Sequence, residues 1–227
     1  MKYQAVIFDL DGTILNTLDD LASATNAVLS ENGFPARTTD EVRRFVGNGI
    51  RKLIERAVPV GTDEATIDRL FARFKEYYGA HCADATRPYD GILALLRRLR
   101  ADGYRTAVVS NKADFAVKEL CRDYFPDFFD SVAGEREGIR RKPAPDTVNA
   151  VLADFGLSPA EAVYVGDSDV DVETAKNAEM DCIGVAWGFR GETFLREHGA
   201  TTVVSDAEEL YRCISAGVAE KRPDGGT

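Results

Sequence analysis

Apolar and polar positions change period twice along this chain. Ala5-Val6-Ile7-Phe8 is a continuous apolar run that stops at Asp9. Such a run predicts a strand buried on both faces of a parallel sheet, here over residues 3–8. From Thr17 the spacing becomes helical. Leu18, Leu21, Ala22, Thr25, Val28 and Leu29 share one face of a helix reaching about Asn32, with Gly33 as its stop. Asp40–Val46, Ile50–Ala57 and Asp63–Ala83 carry the same period, and no strand pattern interrupts them. Residues 16–84 therefore read as an all-helical insert.

Beyond Pro88 strands and helices alternate. Helices are predicted at Ile92–Ala101, Ala113–Tyr124, Asp146–Phe155, Val170–Ala178 and Ala207–Ala216. Strands are predicted at Arg105–Val109, Ser131–Ala133, Ala162–Val165, Cys182–Val185 and Thr202–Val204. Alternation of this kind implies βαβ crossovers. The fold class is α/β: a doubly wound, Rossmann-like parallel sheet over residues 1–15 and 85–220, with the helical cap 16–84 inserted. Residues 221–227 are polar, with Pro and Gly, and read as a disordered tail.

Composition narrows the partners. The 227 residues are enough for a substantial core, and 44% apolar with 29% charged is the balance of a soluble globular protein. No apolar stretch is of bilayer length, and the N-terminal run is too short for a secretory signal. Cys82, Cys121, Cys182 and Cys213 are scattered, which predicts reduced cysteines in a cytoplasmic protein. A net charge of −10 argues against nucleic acid and anionic membranes as partners. The expected partner is a small molecule, bound by a monomer or homodimer. An anionic substrate would need local inversion of that charge, by a metal and a few cations.

Four polar clusters end strands of the one sheet. Asp9-Leu10-Asp11-Gly12-Thr13 follows the first strand. Two carboxylates at the C-terminal end of a parallel strand stand where such sheets bind ligands, and burying them requires compensation. Ser110-Asn111-Lys112 follows the second strand of the core, before a helix, where a hydroxyl and free backbone N–H groups can cradle a phosphate. Lys142 is set between Arg140-Arg141 and Pro143-Ala144-Pro145. The prolines stiffen the backbone and fix one ammonium, whereas the two arginines read as surface. Gly166-Asp167-Ser168-Asp169-Val170-Asp171 follows another strand, with Asp167 and Asp171 four residues apart. Each cluster alone has a plain structural explanation as a cap, a solvated run or an acidic helix start. Together they converge on one crevice, and their hard oxygen donors suit Mg²⁺.

In these four clusters the chain resembles the haloacid dehalogenase superfamily, in its phosphatase branch, and the insert resembles that family's small helical cap. Dehalogenases of the family lack an acid at the position of Asp11. The segment Phe45-Val46-Gly47-Asn48-Gly49-Ile50-Arg51-Lys52-Leu53 resembles the cap of phosphoglycolate phosphatases. The resemblance implies an aspartyl-phosphate mechanism with Asp9 as nucleophile and Asp11 as general acid and base. It implies Mg²⁺ held by Asp9, Asp11 (through its carbonyl) and Asp167, with Asp171 in support. Lys142, Thr13, Ser110 and Asn111 would bind the phosphoryl group, and Asn48 and Arg51 of the cap would meet the leaving group. The substrate implied is a small phosphomonoester, 2-phosphoglycolate first, with nucleotides, sugar phosphates and pyrophosphate open. Two other readings fit less well. A phosphoaspartate receiver domain has no helical insert after its first strand. A phosphosugar mutase usually carries a His just inside the cap, where this chain has Leu18-Asp19-Asp20-Leu21. Trp187-Gly188-Phe189-Arg190 reads as packing and loop structure.

Overall fold

In the computed structural model, which describes residues 2–47 and 49–218, the apolar runs form the centre of a parallel sheet. Its strands are β1 (Ala5–Phe8), β4 (Arg105–Ala113), β5 (Ser131–Glu135), β6 (Ala162–Gly166), β7 (Asp181–Val185) and β8 (Thr202–Val204). They lie in the order β5-β4-β1-β6-β7-β8, with every neighbouring pair parallel. β1 is therefore central, flanked by β4 and β6, and Ala5, Val6, Ile7 and Phe8 are fully buried. That is why this strand reads as an unbroken apolar run rather than an alternation. Helices α5 (Ile92–Ala101), α6 (Asp114–Tyr124), α7 (Asp146–Phe155), α8 (Asp169–Asn177), α9 (Gly191–Glu197) and α10 (Ala207–Ala216) connect the strands. Val6 and Phe8 pack with Leu95, Leu99 and Leu210 on one face; Ala5 and Ile7 pack with Val148 and Leu152 on the other. This two-sided burial follows from the period-2 geometry of the strand.

Between β1 and β4 the chain builds a separate apolar cluster. α1 (Leu18–Glu31), α2 (Thr39–Phe45), α3 (Ile50–Ala57) and α4 (Glu64–His81) bury Leu21, Val28, Val42, Leu53, Ile54, Leu70 and Phe74 against one another. Local signals fix their ends. Thr38 and Glu41 form a reciprocal capping box at the start of α2, and Asp63 caps α4 through the Thr66 amide. A two-stranded antiparallel ribbon of β2 (Leu15–Asn16) and β3 (Arg87–Pro88) joins the outgoing and returning chain. Asp20, buried in α1, accepts the Ala85 and Thr86 amides at 2.9–3.1 Å, so both crossings are tied together.

Three features differ from the sequence pattern. β4 continues four residues past Val109 to Ala113, with a register irregularity, so Ser110, Asn111 and Lys112 lie on the strand and not at a helix start. The ribbon of two-residue strands is too short to carry a period. α9 was not expected because its seven residues follow a glycine-containing loop and have no side-chain cap. The expected tail 221–227 lies outside the described residues, as does Asn48. Among the described residues the four cysteines are free, and no helix is long and apolar enough to cross a membrane.

Candidate active site

β1, β4 and β6 deliver their C-terminal ends to one crevice. Asp9 leaves β1 with its amide donating to the Val165 carbonyl at 2.9 Å, which locks it beside β6. Asp167 leaves β6 and is 2% exposed. The chain turns sharply at Gly12, which has φ +85°; a Cβ there would lie 2.3 Å from the Asp167 carboxylate. Only glycine permits both that conformation and that approach. Oxygen atoms of Asp9, Asp167 and Asp171 all come within 4.8 Å of one another.

One ammonium serves this cluster. Lys142 is 5% exposed, and its Nζ lies 2.8 Å from Asp171 Oδ1, 2.9 Å from Asp9 Oδ1 and 3.0 Å from the Tyr164 hydroxyl. The contact with Asp9 has the distance of an ion pair without the direction of a hydrogen bond, and Asp9 Oδ1 has no hydrogen-bond partner in the protein. Burial pushes the Asp9 carboxyl up to about 7, because Lys142 only partly offsets desolvation and Asp171 opposes it. Burial likewise holds Asp167 well above the usual carboxylate range, reinforced by Asp171 and Asp9. Lys142 moves the other way to its burial: Asp171 and Asp9 outweigh desolvation and keep it above the ordinary lysine range. The directions agree once Lys142 is seen as shared between two carboxylates, so neither is fully compensated. Asp9 and Asp167 thus form a hard-oxygen pair with surplus negative charge and an orphaned buried oxygen. That set fits a divalent cation.

Several expected residues stand where a phosphoryl group would enter. A cleft of about 760 Å³, counted with the solvent at its mouth, is lined by Asp9, Asp11, Ser110, Asn111, Lys142 and Asp167 from the sheet. Its other wall is apolar and comes from the helical insert: Leu21, Val46, Ile50 and Leu53, with Gly47 and Gly49. Asn111 also donates to the Lys142 carbonyl at 2.9 Å, which fixes the loop carrying the ammonium.

Three positions depart from expectation. Thr13 is fully buried and its hydroxyl donates to Asp167 Oδ1 at 3.3 Å, so it is not a cleft residue here. Asp171 is saturated: Oδ1 meets Lys142, and Oδ2 accepts the Ser168 hydroxyl and amide at 2.6 and 3.1 Å. It holds Lys142 and caps α8 at once. Arg51 points away from the cleft into a group of carboxylates, pairing with Glu55, Glu64 and Asp68.

Other residues were not legible as site components. Lys112, 8% exposed, places Nζ 3.0 and 3.1 Å from the two Asp11 oxygens and 2.9 Å from the Tyr78 hydroxyl of α4. The segment after β7, expected to pack, also orders the site. Trp187 donates to the Thr13 carbonyl at 3.0 Å, and the Phe189 amide donates to Asp167 Oδ2 at 2.7 Å. Arg190 donates to the Arg43, Arg44 and Val46 carbonyls at the end of α2, where the helix dipole favours a cation. No periodicity marks such residues; a buried lysine and a surface lysine look alike in sequence.

Comparison with known proteins agrees with this geometry. Residues 6–185 match the family model described as haloacid dehalogenase-like hydrolase. A phosphoglycolate phosphatase of Psychrobacter arcticus is 33% identical over 219 residues, covering 92% of this chain and 95% of the relative. An N-acetylmuramic acid 6-phosphate phosphatase of Pseudomonas aeruginosa is 30% identical over 222 residues, covering 97% and 98%. A crystal structure from Lactobacillus delbrueckii subsp. bulgaricus, provisionally assigned as a phosphoglycolate phosphatase, superposes with a TM-score of 0.90 at 40% identity, covering 94% of this chain and 99% of that one. The matched span holds all four polar clusters. The chain belongs to the haloacid dehalogenase-like hydrolase family, in its phosphatase branch.

Proposed function

We propose that this phosphatase hydrolyses a small phosphomonoester through an aspartyl-phosphate on Asp9, with Mg²⁺ as cofactor and 2-phosphoglycolate as the first candidate substrate. The observation that carries the reading is the Asp9–Asp167–Lys142 arrangement: a carboxylate with one oxygen free of protein hydrogen bonds, a second carboxylate beside it, and a single shared ammonium.

Asp9, Asp167 and the Asp11 carbonyl would hold the cation, with Asp171 supporting them through Lys142. When bound, Mg²⁺ supplies positive charge for the transferring phosphoryl oxygens and neutralises the buried carboxylates. The remaining chemistry belongs to the chain. In the first step an Asp9 oxygen forms a bond to phosphorus as the bond from phosphorus to the ester oxygen breaks. Asp11, protonated, gives its proton to that oxygen, and the alcohol leaves. In the second step Asp11, now a carboxylate, takes a proton from water as the water oxygen bonds to phosphorus. The Asp9–phosphorus bond breaks and inorganic phosphate leaves. Lys142, Ser110 and Asn111 neutralise and orient the phosphoryl oxygens throughout.

Residues 16–84 act in this reading as a cap whose apolar wall excludes water and reads the leaving group, over a core of residues 1–15 and 85–220. The narrow, half-apolar cleft favours a small metabolite over a polymer. The negative net charge agrees with a small-molecule partner and with neither nucleic acid nor membrane.

The test is a phosphate-release screen over phosphomonoesters with Mg²⁺. The panel includes 2-phosphoglycolate, N-acetylmuramic acid 6-phosphate, hexose phosphates and nucleoside monophosphates. The highest kcat/KM is expected for 2-phosphoglycolate. A preference of tenfold or more for a sugar phosphate would move the substrate assignment while leaving the phosphatase reading intact. No turnover of any member would overturn both.

A further inference from the structure

We propose that Lys112 is the positioning residue of Asp11, and that Tyr78 of the helical insert completes this positioning from across the cleft. The proposal rests on the reading of Asp11 as the residue that takes a proton from water.

The two buried ammonium groups of the cleft do different things. Lys142 stands among Asp9, Asp171 and Tyr164, on the side of the cleft where the phosphoryl group would bind. Lys112 has no contact with that set. Its three N–H donors are spent on the two Asp11 oxygens, at 3.0 and 3.1 Å, and on the Tyr78 hydroxyl at 2.9 Å. Near-equal distances to both oxygens fix the rotation of the carboxylate about its last bond, which a single contact would leave free. Asp11 needs such a device. It follows Leu10 in a tight turn beside Gly12, and its side chain is the least buried of the site's carboxylates. An ammonium against both oxygens also fits the carboxylate, which is the form that accepts the proton of water in the second step.

Tyr78 makes the arrangement depend on the insert. Its ring stacks on Phe74 at 5.4 Å between centroids, within the α1–α4 cluster, and it lies under the Lys112 ammonium at 4.7 Å. Lys112 is on β4, Asp11 follows β1, and Tyr78 is on α4. When α4 sits as it does here, the ammonium has an apolar ring and a hydroxyl behind it and only Asp11 ahead. If α4 moved away, the ammonium would gain water and could swing off Asp11. The insert thereby contributes a group that prepares water activation, besides its wall of the cleft.

Lys112→Met tests this directly, since Met keeps the stem and removes the charge. The second step is expected to slow by about 10²-fold, the scale of a misplaced catalytic group, with KM little changed. With p-nitrophenyl phosphate, p-nitrophenol should then appear in a burst close to the enzyme concentration, and phosphoenzyme should accumulate. Lys112→Arg should restore part of the rate. Tyr78→Phe, which keeps the ring and its packing, should shift the same quantities the same way by a smaller factor, and it stands if the methionine variant folds poorly. In an Asp11→Asn background, Lys112→Met should cost less than about twofold more, because a residue acting through Asp11 has nothing left to position. A raised KM with no burst would overturn the proposal and make Lys112 a substrate ligand. A full additional loss in the Asp11→Asn background would overturn it by showing independent action. If Asp11→Asn alone retains wild-type rates, the underlying reading of Asp11 fails first, and it fails separately from the Lys112 pair.

Discussion

Asp9 and Asp11 are two residues apart and do different work because their surroundings differ. Asp9 is at a strand end, buried against Asp167 and short of compensation. Asp11 lies in the turn beside Gly12, about one-fifth exposed at its side chain (20%), against Lys112. Asp11→Asn is expected to lower kcat by about 10²–10⁴-fold on alkyl phosphates, the usual range for losing general acid–base help. The first step should suffer less with p-nitrophenyl phosphate, whose leaving group needs little protonation. Single-turnover rates for the two esters check this, and equal losses in the first step would remove Asp11 as the acid. At this scale the sequence was most informative for residues whose spacing is rigid. Asp9 and Asp167 each directly follow a strand, and a strand end in a parallel sheet has only one place to be, whereas Ser110 lies within β4 and Lys142 in the loop between β5 and α7. Thr13, Arg51 and Lys112 were not readable, because their side chains choose partners from distant segments: Asp167, Asp68 and Tyr78.

The helix α3 and the loop before it show how an element turns a local pattern into a wall. Ile50 and Leu53, with Gly47 and Gly49, face the cleft, whereas Arg51 on the other side of the same helix meets Glu64 and Asp68, both of α4. Ile50→Ala should change the ratio of kcat/KM for the best natural substrate to that for p-nitrophenyl phosphate by about threefold or more, since a few buried methylenes are worth about 1–3 kcal/mol in discrimination. Arg51→Ala should leave that ratio unchanged and lower stability little, because exposed ion pairs contribute little. The two variants measured side by side decide which face of α3 reads the substrate. A shifted ratio in Arg51→Ala would return that residue to the site. Element boundaries were legible wherever a stop residue was present. α5 and α7 begin and end where their apolar period and following glycine predict, with Gly156 in the left-handed conformation. β4 overran its apolar run because pairing with β5 continues the strand through polar residues, and pairing leaves no mark in one strand's own sequence.

Over the whole molecule, the pH response of interest comes from the carboxylates buried at the cleft. Asp9 shifts from an ordinary 3.8 up to about 7, and Asp167 shifts in the same direction. A raised carboxyl keeps its proton in the folded state after the unfolded chain has lost it. Stability from this source is therefore full below about pH 4 and is lost as pH rises to about 7. With a chelator present, the melting temperature should fall from about pH 5 to about pH 7.5. Asp9→Asn should flatten that slope, and Mg²⁺ should raise the melting temperature by an amount that grows with pH, because the cation binds the deprotonated pair. A melting curve insensitive to Mg²⁺ at about pH 8 would contradict the assignment of the cation to Asp9 and Asp167. The α/β class and the parallel sheet were readable in advance, because they follow from period and alternation, whereas the strand order β5-β4-β1-β6-β7-β8 was not. The insert's seating on the core was not, since Asp20, Tyr78 and Arg190 make that seating through a few contacts between residues far apart in sequence.

The central claim is a covalent bond between phosphorus and Asp9. The most direct test is to mix Asp11→Asn enzyme with Mg²⁺ and p-nitrophenyl phosphate, quench in acid within one turnover, and locate the label by peptide mass spectrometry after borohydride reduction of the acyl phosphate. Reduction should convert residue 9 to homoserine in a fraction of molecules matching the p-nitrophenol burst, with none in Asp9→Asn enzyme, which should also be inactive. A burst without modification at residue 9, or turnover by Asp9→Asn within tenfold of the wild type, would contradict the aspartyl-phosphate mechanism.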